Sequence, residues 1–204
     1  MTGLRLVLAR HGQTPSNVRM ALDSAPPGPP LTEQGRRQAI ELAEDLAGQP
    51  VVAVYASTAL RAQQTAEPVA GRHGLAVEVV DGIQEVFVGD LEGRHDEDSL
   101  RRFFTVFSAW AAGDLSASMP GGESGQQVVD RYREVIDRIG ERHAHGVAVL
   151  VSHGAAIRLV APTLAANIAA ELGEHALIPN TGRVVLDAEP TGWRCVAWPG
   201  IKLV

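Results

Sequence analysis

Two largely apolar runs of this chain end in the same dipeptide, histidine–glycine. Residues 4–9 are followed by Arg10 and His11, and residues 147–151 are followed, after one serine, by His153. Runs of this kind predict buried strands, and in α/β proteins the ligand crevice opens at the carboxyl ends of such strands. The sequence therefore predicts that a cation and two imidazoles lie together where an α/β protein binds its ligand.

A third strand is predicted over residues 51–57, and it runs into a helix that carries Arg61 in its first turn. Three strand ends thus direct Arg10, His11, Arg61 and His153 toward one edge of a sheet. A guanidinium group can bind a phosphate through two parallel hydrogen bonds. An imidazole nitrogen can act as a nucleophile or a base. These side chains predict a phosphate site.

Four sequence blocks, in this order, resemble the histidine phosphatase superfamily, the phosphoglycerate-mutase-like group of phosphatases and mutases. The blocks are Arg10-His11-Gly12, the helix start Ser57-x-x-x-Arg61-Ala62-x-x-Thr65-Ala66, Glu85 before Gly89-x-x-Glu92-Gly93, and Ser152-His153-Gly154. They extend from residue 4 to about residue 182, so the resemblance covers nearly the whole chain. Two positions depart from the family's pattern, and both are expected to reshape the rim of the site. Thr58 stands where an aspartate is frequent, and Ala155 stands where a glycine is common.

The resemblance implies a role for each of the central residues. His11 is the predicted nucleophile, which attacks phosphorus and forms a phosphohistidine. Arg10 and Arg61 are the predicted clamp on the phosphoryl oxygens, and His153 is their predicted cationic or hydrogen-bond-donating partner. Glu85 is the predicted general acid, which protonates the leaving oxygen and then deprotonates the hydrolytic water.

The choice of Glu85 as the acid rests on the resemblance. Spacing alone does not separate it from Asp81, Asp90 or Glu92. Glu92, which lies beside Gly93, is expected to be structural.

The remaining candidate residues are expected to surround the phosphate. Gly12 is expected to permit close backbone approach and a tight turn. The other candidates for phosphate binding are Gln13, Thr14, Asn17 and Gly154. Residues 180–182 are expected to close the rim of the same pocket.

Three aromatic side chains, Phe103, Phe107 and Trp110, recur at helical spacing in a chain with only 4% aromatic residues. One interpretation is core packing. The alternative is an apolar wall for the leaving group, which would favour a hydrophobic or extended substrate over a small sugar phosphate.

Strands alternate with helices along the chain, which predicts a three-layer α/β/α sandwich with a largely parallel central sheet, as one domain over residues 1–204. Residues 12–31 are predicted to form a loop, with an extended proline-rich stretch at 26–30, and Thr32 is predicted to cap the first long helix. Pro68 is expected to interrupt one helix and Pro162 to kink another. Helices are predicted over 32–49, 59–72, 98–112, 126–144 and from 154 to about 170, with further strands over 76–80, 182–188 and 193–198.

The composition is that of a globular protein with no basic field. The 204 residues are 45% hydrophobic and carry a formal charge of −6, so nothing favours nucleic acid or an anionic membrane as a partner. The single Cys195 excludes an internal disulfide and is expected to be a packing residue. No apolar stretch is long enough for a signal peptide or a bilayer span, and a cytoplasmic location is expected.

No metal or cofactor is expected. His143 and His145 lack a third ligand at metal spacing, and the chain contains neither a phosphate-loop motif nor a dinucleotide fingerprint.

These patterns predict a metal-independent phosphomonoesterase that acts on a phosphorylated small molecule through a phosphohistidine. The alternative within the family is a phosphoglycerate mutase, which needs extra cations, whereas residues 86–125 offer only Arg94, Arg101 and Arg102. A non-catalytic phosphate-binding protein is the alternative from another class, and it would be expected to have lost His11 or the acid. Pairing of two copies into a homodimer is left open.

Overall fold

The computed structural model describes residues 3–203, which form one sheet covered by helices on both faces. The strands are β1 (Leu4–Arg10), β2 (Val51–Ala56), β3 (Val77–Val79), β4 (Gly146–Ser152), β5 (Arg183–Glu189) and β6 (Gly192–Ala197). The helices are α1 (Pro15–Val18), α2 (Glu33–Leu46), α3 (Leu60–Arg72), α4 (Glu97–Ala111), α5 (Gly125–Arg142), α6 (Gly154–Leu164) and α7 (Ala170–His175), with a 3-10 turn at Gly89–Leu91.

The strand order is β3-β2-β4-β1-β5-β6. The first four strands in this order are parallel, β5 is antiparallel to β1, and β6 is antiparallel to β5. In the central pair Leu8 lies opposite Leu150 and Arg10 opposite Ser152. The carboxyl ends of β1, β2 and β4 therefore open at the same edge of the sheet, as the sequence predicts.

Side chains of β1 alternate between two cores, which is the expected consequence of the two-residue period of a strand. Leu6 and Leu8 pack into the larger core together with residues of α4, α5 and α6. Val7 and Ala9 pack into the smaller core with residues of α2 and α3. The sheet is thus the middle of three layers, and the predicted α/β/α sandwich with a largely parallel sheet is confirmed.

Pro68 affects its helix less than expected, and Pro162 lies inside α6. α3 continues through Pro68, because one face of the helix, with Ala66 and Val69 fully buried, holds it in place despite the missing N–H. The helix predicted to extend to about residue 170 ends instead at Leu164, where Ala165 pairs with Trp193, and α7 follows as a separate element. The predicted loop after β1 contains the one-turn helix α1, which sequence reasoning missed.

Candidate active site

A cavity of about 130 Å³ opens at the carboxyl edge of the parallel strands. It brings together six of the predicted site residues and seven others, of which only Ala155, expected at the rim, and Phe103, a candidate for an apolar wall, were connected to the site by the sequence. The predicted residues are Arg10, His11, Thr14, Asn17, Arg61 and Glu85; the others are Ala21, Leu22, Asp23, Ser24, Val88, Phe103 and Ala155.

His11 follows β1 directly, and its side chain is only 4% exposed. Its Nδ1 lies 2.7 Å from the carbonyl oxygen of Gly12. Because a carbonyl only accepts hydrogen bonds, Nδ1 carries the proton and Nε2 keeps its lone pair. Burial lowers the pKa of His11 well below 6.5, and the charges of Arg61 and Arg10 lower it further. The free site therefore holds a neutral imidazole, which is the form that can attack phosphorus.

His153 is completely buried behind this cavity, and its ring centroid lies 5.1 Å from that of His11. Its Nε2 lies 2.7 Å from the hydroxyl oxygen of Ser57, at the end of β2. Its Nδ1 has no hydrogen-bond partner among residues 3–203. When the Ser57 hydroxyl donates to Nε2, Nδ1 carries a proton and is a free donor. Burial is also the main cause of a pKa for His153 well below 6.5, with Arg61 the largest of the charges that add to it.

The two predicted clamp arginines are held by backbone carbonyls. Arg10 donates through Nη1 to Ile178 at 2.8 Å, and its buried Nε has no partner in the described part of the chain. Burial lowers the pKa of Arg10, and the neighbouring Glu85 opposes that shift. Arg61 is only 2% exposed and donates through Nη2 to the carbonyl of Asp23 at 2.9 Å. The side chain of Asp23 lies 3.4 Å from Nη1 of the same guanidinium.

The loop that contacts Arg61 is itself fixed by Glu92. The Glu92 carboxylate accepts hydrogen bonds from the Ser24 backbone at 3.0 Å and 3.1 Å, from the Ser24 hydroxyl at 2.5 Å and from the Ala25 backbone at 3.2 Å. Further along the loop, Gly28 has a φ of +63°, and a Cβ there would lie 2.2 Å from Nη1 of Arg61. Glu92 therefore does not line the cavity itself but holds the loop that does, which agrees with the structural role expected for it.

Glu85 lies at the amino end of α6, where its carboxylate accepts backbone hydrogen bonds from Ala156 at 2.9 Å and from Ala155 at 3.3 Å. It also accepts from the following residue, Val86, at 2.9 Å. Of the four acidic residues that spacing could not separate, Glu85 is the one that lines the cavity. The structure thus places a single carboxylate of that set beside the predicted nucleophile.

The remaining predicted residues are divided between the cavity and its support. Asn17 and Thr14 line the cavity and cap α1 reciprocally. Gln13 does not line the cavity; its side-chain oxygen accepts from Thr32, whose hydroxyl oxygen also caps α2 as predicted. Asn180 donates to the His11 carbonyl at 3.0 Å and to Asn17 at 3.1 Å, but residues 180–182, which were expected to close the rim, are not among those that line the cavity.

The two predicted glycines both permit close packing. A Cβ at Gly12 would lie 2.6 Å from the carbonyl oxygen of Gly35, and its N–H donates to Thr65 at 3.0 Å. A Cβ at Gly154 would lie 3.3 Å from Nε of Arg10. A side chain at Gly12 would therefore crowd the backbone of α2 beside the nucleophile, and one at Gly154 would crowd the guanidinium of Arg10.

Three aromatic residues of α4, Phe103, Phe107 and Trp110, belong to the larger core, and the first of them also lines the cavity. Phe103 lines the cavity, where Leu22, Val88 and Ala155 are further apolar neighbours. Phe107 and Trp110 are packed in the larger core, 2% and 1% exposed. The cavity is therefore lined by both charged and apolar residues.

No group of three histidine, cysteine, aspartate or glutamate side chains within residues 3–203 is arranged to hold a metal ion. Over the same residues, none of the helices combines the length and the apolar character that crossing a bilayer requires.

Comparison with known proteins identifies the family. The model of the histidine phosphatase superfamily, branch 1, matches residues 6–199. This chain belongs to the histidine phosphatase superfamily. The match includes all of the residues that line the cavity.

Similar proteins include phosphatases. The adenosylcobalamin/alpha-ribazole phosphatase of Escherichia coli is 33% identical, over 77% of this chain and 77% of its own length. A PE-PGRS family protein of Mycobacterium tuberculosis is 32% identical over 95% of this chain, which spans 36% of that longer protein. The solved structure of a mycobacterial glucosyl-3-phosphoglycerate phosphatase superposes with a TM-score of 0.82, at 27% identity, over 95% of this chain and 97% of its own. These findings confirm the predicted family, fold and class of activity, a phosphoric monoester hydrolase.

Proposed function

We propose that this chain hydrolyses phosphate monoesters in two steps, with Nε2 of His11 as the nucleophile. The observation that carries the proposal is the hydrogen bond from Nδ1 of His11 to the Gly12 carbonyl. It fixes the tautomer whose free nitrogen shares the cavity with Arg10, Arg61 and Glu85. A neutral nucleophile, two fixed cations and one carboxyl group are the set that such a reaction needs.

In the first step the lone pair of His11 Nε2 attacks phosphorus, and the bond between phosphorus and the ester oxygen breaks. The Glu85 carboxyl group gives its proton to that oxygen, which leaves as an alcohol. In the second step Glu85 takes a proton from water, whose oxygen attacks phosphorus. The bond between phosphorus and nitrogen breaks, its electron pair returns to Nε2, and inorganic phosphate leaves.

Arg10, Arg61 and His153 hold the phosphoryl oxygens during both steps. The guanidinium groups supply charge in a fixed geometry. Nδ1 of His153, which has no partner within residues 3–203, supplies a donor when Ser57 donates to Nε2. Each of these groups is already ordered by the fold, so little reorganisation is needed when charge develops in the transition state.

The substrate class follows from the apolar lining of the cavity. Leu22, Val88 and Phe103 line it, and Asp23, which lies 3.4 Å from Nη1 of Arg61, is the one charged lining residue besides Arg10, Arg61 and Glu85. We propose a phosphomonoester of a small molecule whose leaving group carries no second anionic group. The alpha-ribazole and glucosyl-3-phosphoglycerate phosphatases show that relatives act on dissimilar leaving groups, so the exact substrate is a question for screening.

The same cavity disfavours a mutase. A mutase must grip a carboxylate and a second phosphate, yet none of the three arginines of residues 86–125 lines the cavity. Arg94 pairs with Asp96 and Arg101 pairs with Asp98, and both arginines are more than half exposed. Their charges are therefore directed to solvent and to neighbouring carboxylates.

The first experiment measures hydrolysis of an aryl phosphate in excess chelator by the wild type, His11→Ala and the control His95→Ala, which changes an exposed histidine. We expect activity that survives chelation in the wild type and the control and is lost in His11→Ala, with phosphate found on His11 by mass spectrometry after rapid quenching. Equal activity of all three proteins would show that His11 is not the nucleophile. Absence of turnover by all three would favour the mutase or the binding protein.

We also propose that residues 1–204 act as one catalytic domain, since the family model spans residues 6–199. A cytoplasmic location stays a prediction, which fractionation would test, and the pairing of two copies stays an open question for sedimentation.

A further inference from the structure

One arginine outside the cavity holds the backbone of the segment that carries Glu85. Arg131, on α5, donates to the carbonyl oxygens of Gly82 at 2.8 Å, Gln84 at 3.0 Å and Glu85 at 3.0 Å. Its guanidinium also donates to both carboxylate oxygens of Glu123, at 2.8 Å and 2.9 Å. Its hydrogen bonds thus go to three carbonyls of residues 82–85 and to Glu123, and sequence reasoning gave no sign of this.

Glu123 holds the other side of the same segment. Its carboxylate accepts from the backbone of Phe87 at 2.9 Å, and its own N–H donates to the Phe87 carbonyl at 3.0 Å. A Cβ at Gly122 would lie 2.2 Å from that carbonyl oxygen, and one at Gly89 would lie 2.2 Å from the backbone of Gly121. The two segments therefore pack backbone against backbone, with no room for a side chain between them.

We propose that Arg131 and Glu123 are positioning residues that set the distance from the Glu85 carboxyl group to the leaving oxygen and the hydrolytic water. This inference rests on the proposed function. The carboxylate of Glu85 is held by Ala155 and Ala156 of α6, and its backbone is held by Arg131 of α5. The carboxylate and the backbone of Glu85 are thus held by two different helices. Loss of the hydrogen bonds to either helix is expected to let the carboxyl group move.

The consequence for the reaction is selective. A displacement of about 1 Å in a catalytic group can cost roughly 100-fold in rate. That loss falls on steps in which Glu85 transfers a proton, because the nucleophile and the clamp have their own supports. Esters with poor leaving groups need the acid in the first step, whereas a nitrophenolate leaves without a proton.

The experiment compares Arg131→Met and Glu123→Gln with the wild type and with Arg138→Met, an exposed arginine of the same helix. We expect kcat/KM for an alkyl phosphate to fall about 100-fold in the first two variants. We expect the rate of the nitrophenol burst from 4-nitrophenyl phosphate to change by less than about threefold, because this leaving group needs no proton. The steady-state rate on the same substrate is expected to be lower, because the attack of water also needs Glu85. Arg138→Met is expected to match the wild type on both substrates.

Other outcomes would overturn the inference. Equal losses in kcat/KM for the alkyl phosphate and in the burst rate for 4-nitrophenyl phosphate, together with a lower thermal midpoint in both variants, would show that Arg131 and Glu123 serve only stability. Rates equal to those of the wild type on both substrates would show that the segment holds its position without them.

Glu85→Gln separates this inference from the proposed function. If Glu85 is the acid, Glu85→Gln shows the same dependence on the leaving group, and adding Arg131→Met to it costs little more. If Glu85→Gln leaves that dependence unchanged, the assignment of the acid fails and the positioning role fails with it. If Glu85→Gln changes it and Arg131→Met does not, only the positioning role fails.

Discussion

The imidazole rings of His11 and His153 lie with their centroids 5.1 Å apart and their planes at 58°. Burial and the charge of Arg61 lower the pKa of each ring well below 6.5. The positive charge of the free site near pH 7 is therefore carried by the guanidinium groups, and both imidazoles are neutral. A bound phosphate adds negative charge to the same cavity and is expected to favour protonation of His153, since its Nδ1 has no other described partner.

Proton occupancy of the two rings gives the first prediction. In the free enzyme at pH 6.5 we expect the ¹⁵N signals of His11 and His153 to be those of neutral imidazole, since both pKa values are lowered. Saturating phosphate or vanadate is expected to shift the His153 signals toward the protonated form. Signals of a charged His11 in the free enzyme at that pH would contradict the proposed nucleophile.

The same shifts predict how stability depends on pH. Since the folded-state pKa of each ring is lowered, the unfolded chain binds more protons below pH 6.5, and the free energy of unfolding falls as pH falls through 6.5 toward the folded pKa values. Urea unfolding from pH 7.5 to 5 is expected to show a weaker dependence in a variant with His11→Gln and His153→Gln. The matched control replaces two exposed histidines, His95 and His145, and an equal change of slope in both proteins would refute the prediction.

The fork geometry of Arg61 gives a third prediction. Arg61→Lys keeps the charge but loses the planar pair of donors, so we expect kcat/KM to fall about 10- to 100-fold. The measurement is steady-state hydrolysis of an aryl phosphate together with inhibition by inorganic phosphate. Arg94→Lys, at an exposed position outside the cavity, is the control. A lysine variant as active as the wild type would mean that only the charge matters at this position.

The substitution Gly28→Ala tests whether the proline-rich loop positions Arg61. An alanine at Gly28 meets a φ of +63° and would place its Cβ 2.2 Å from the guanidinium, whereas Gly74, with a φ of +66°, has nothing within 4 Å. Both alanine variants are expected to lose about 1–2 kcal/mol of stability from the left-handed backbone. Only Gly28→Ala is expected to weaken phosphate binding, by about tenfold or more, if one hydrogen bond to Arg61 is lost. Equal phosphate affinity of the two variants would show that Arg61 does not depend on the loop.

The sequence alone determined the layers of the fold and four residues of the site. Apolar runs ending in charged or imidazole side chains are local signals, and they predict Arg10, His11, Arg61 and His153 at one sheet edge. Strand β2 was predicted close to its observed bounds, whereas the continuity of α3 through Pro68 was not. A proline is a local signal too, but packing of one helix face outweighed it.

The resemblance already named Glu85 as the acid, but only the tertiary structure separated the four acids by their contacts and showed what holds the site in place. Glu85 was one of four similar carboxylates in sequence, and it is distinguished by the backbone N–H groups of α6, 70 and 71 positions away. Ser57 meets His153 across 96 positions, and Arg131 meets Glu85 across 46. The lowered pKa of His11 arises mainly from burial, a property of the packed chain. Contacts of this kind depend on which elements pack together, and no local pattern of residues encodes that.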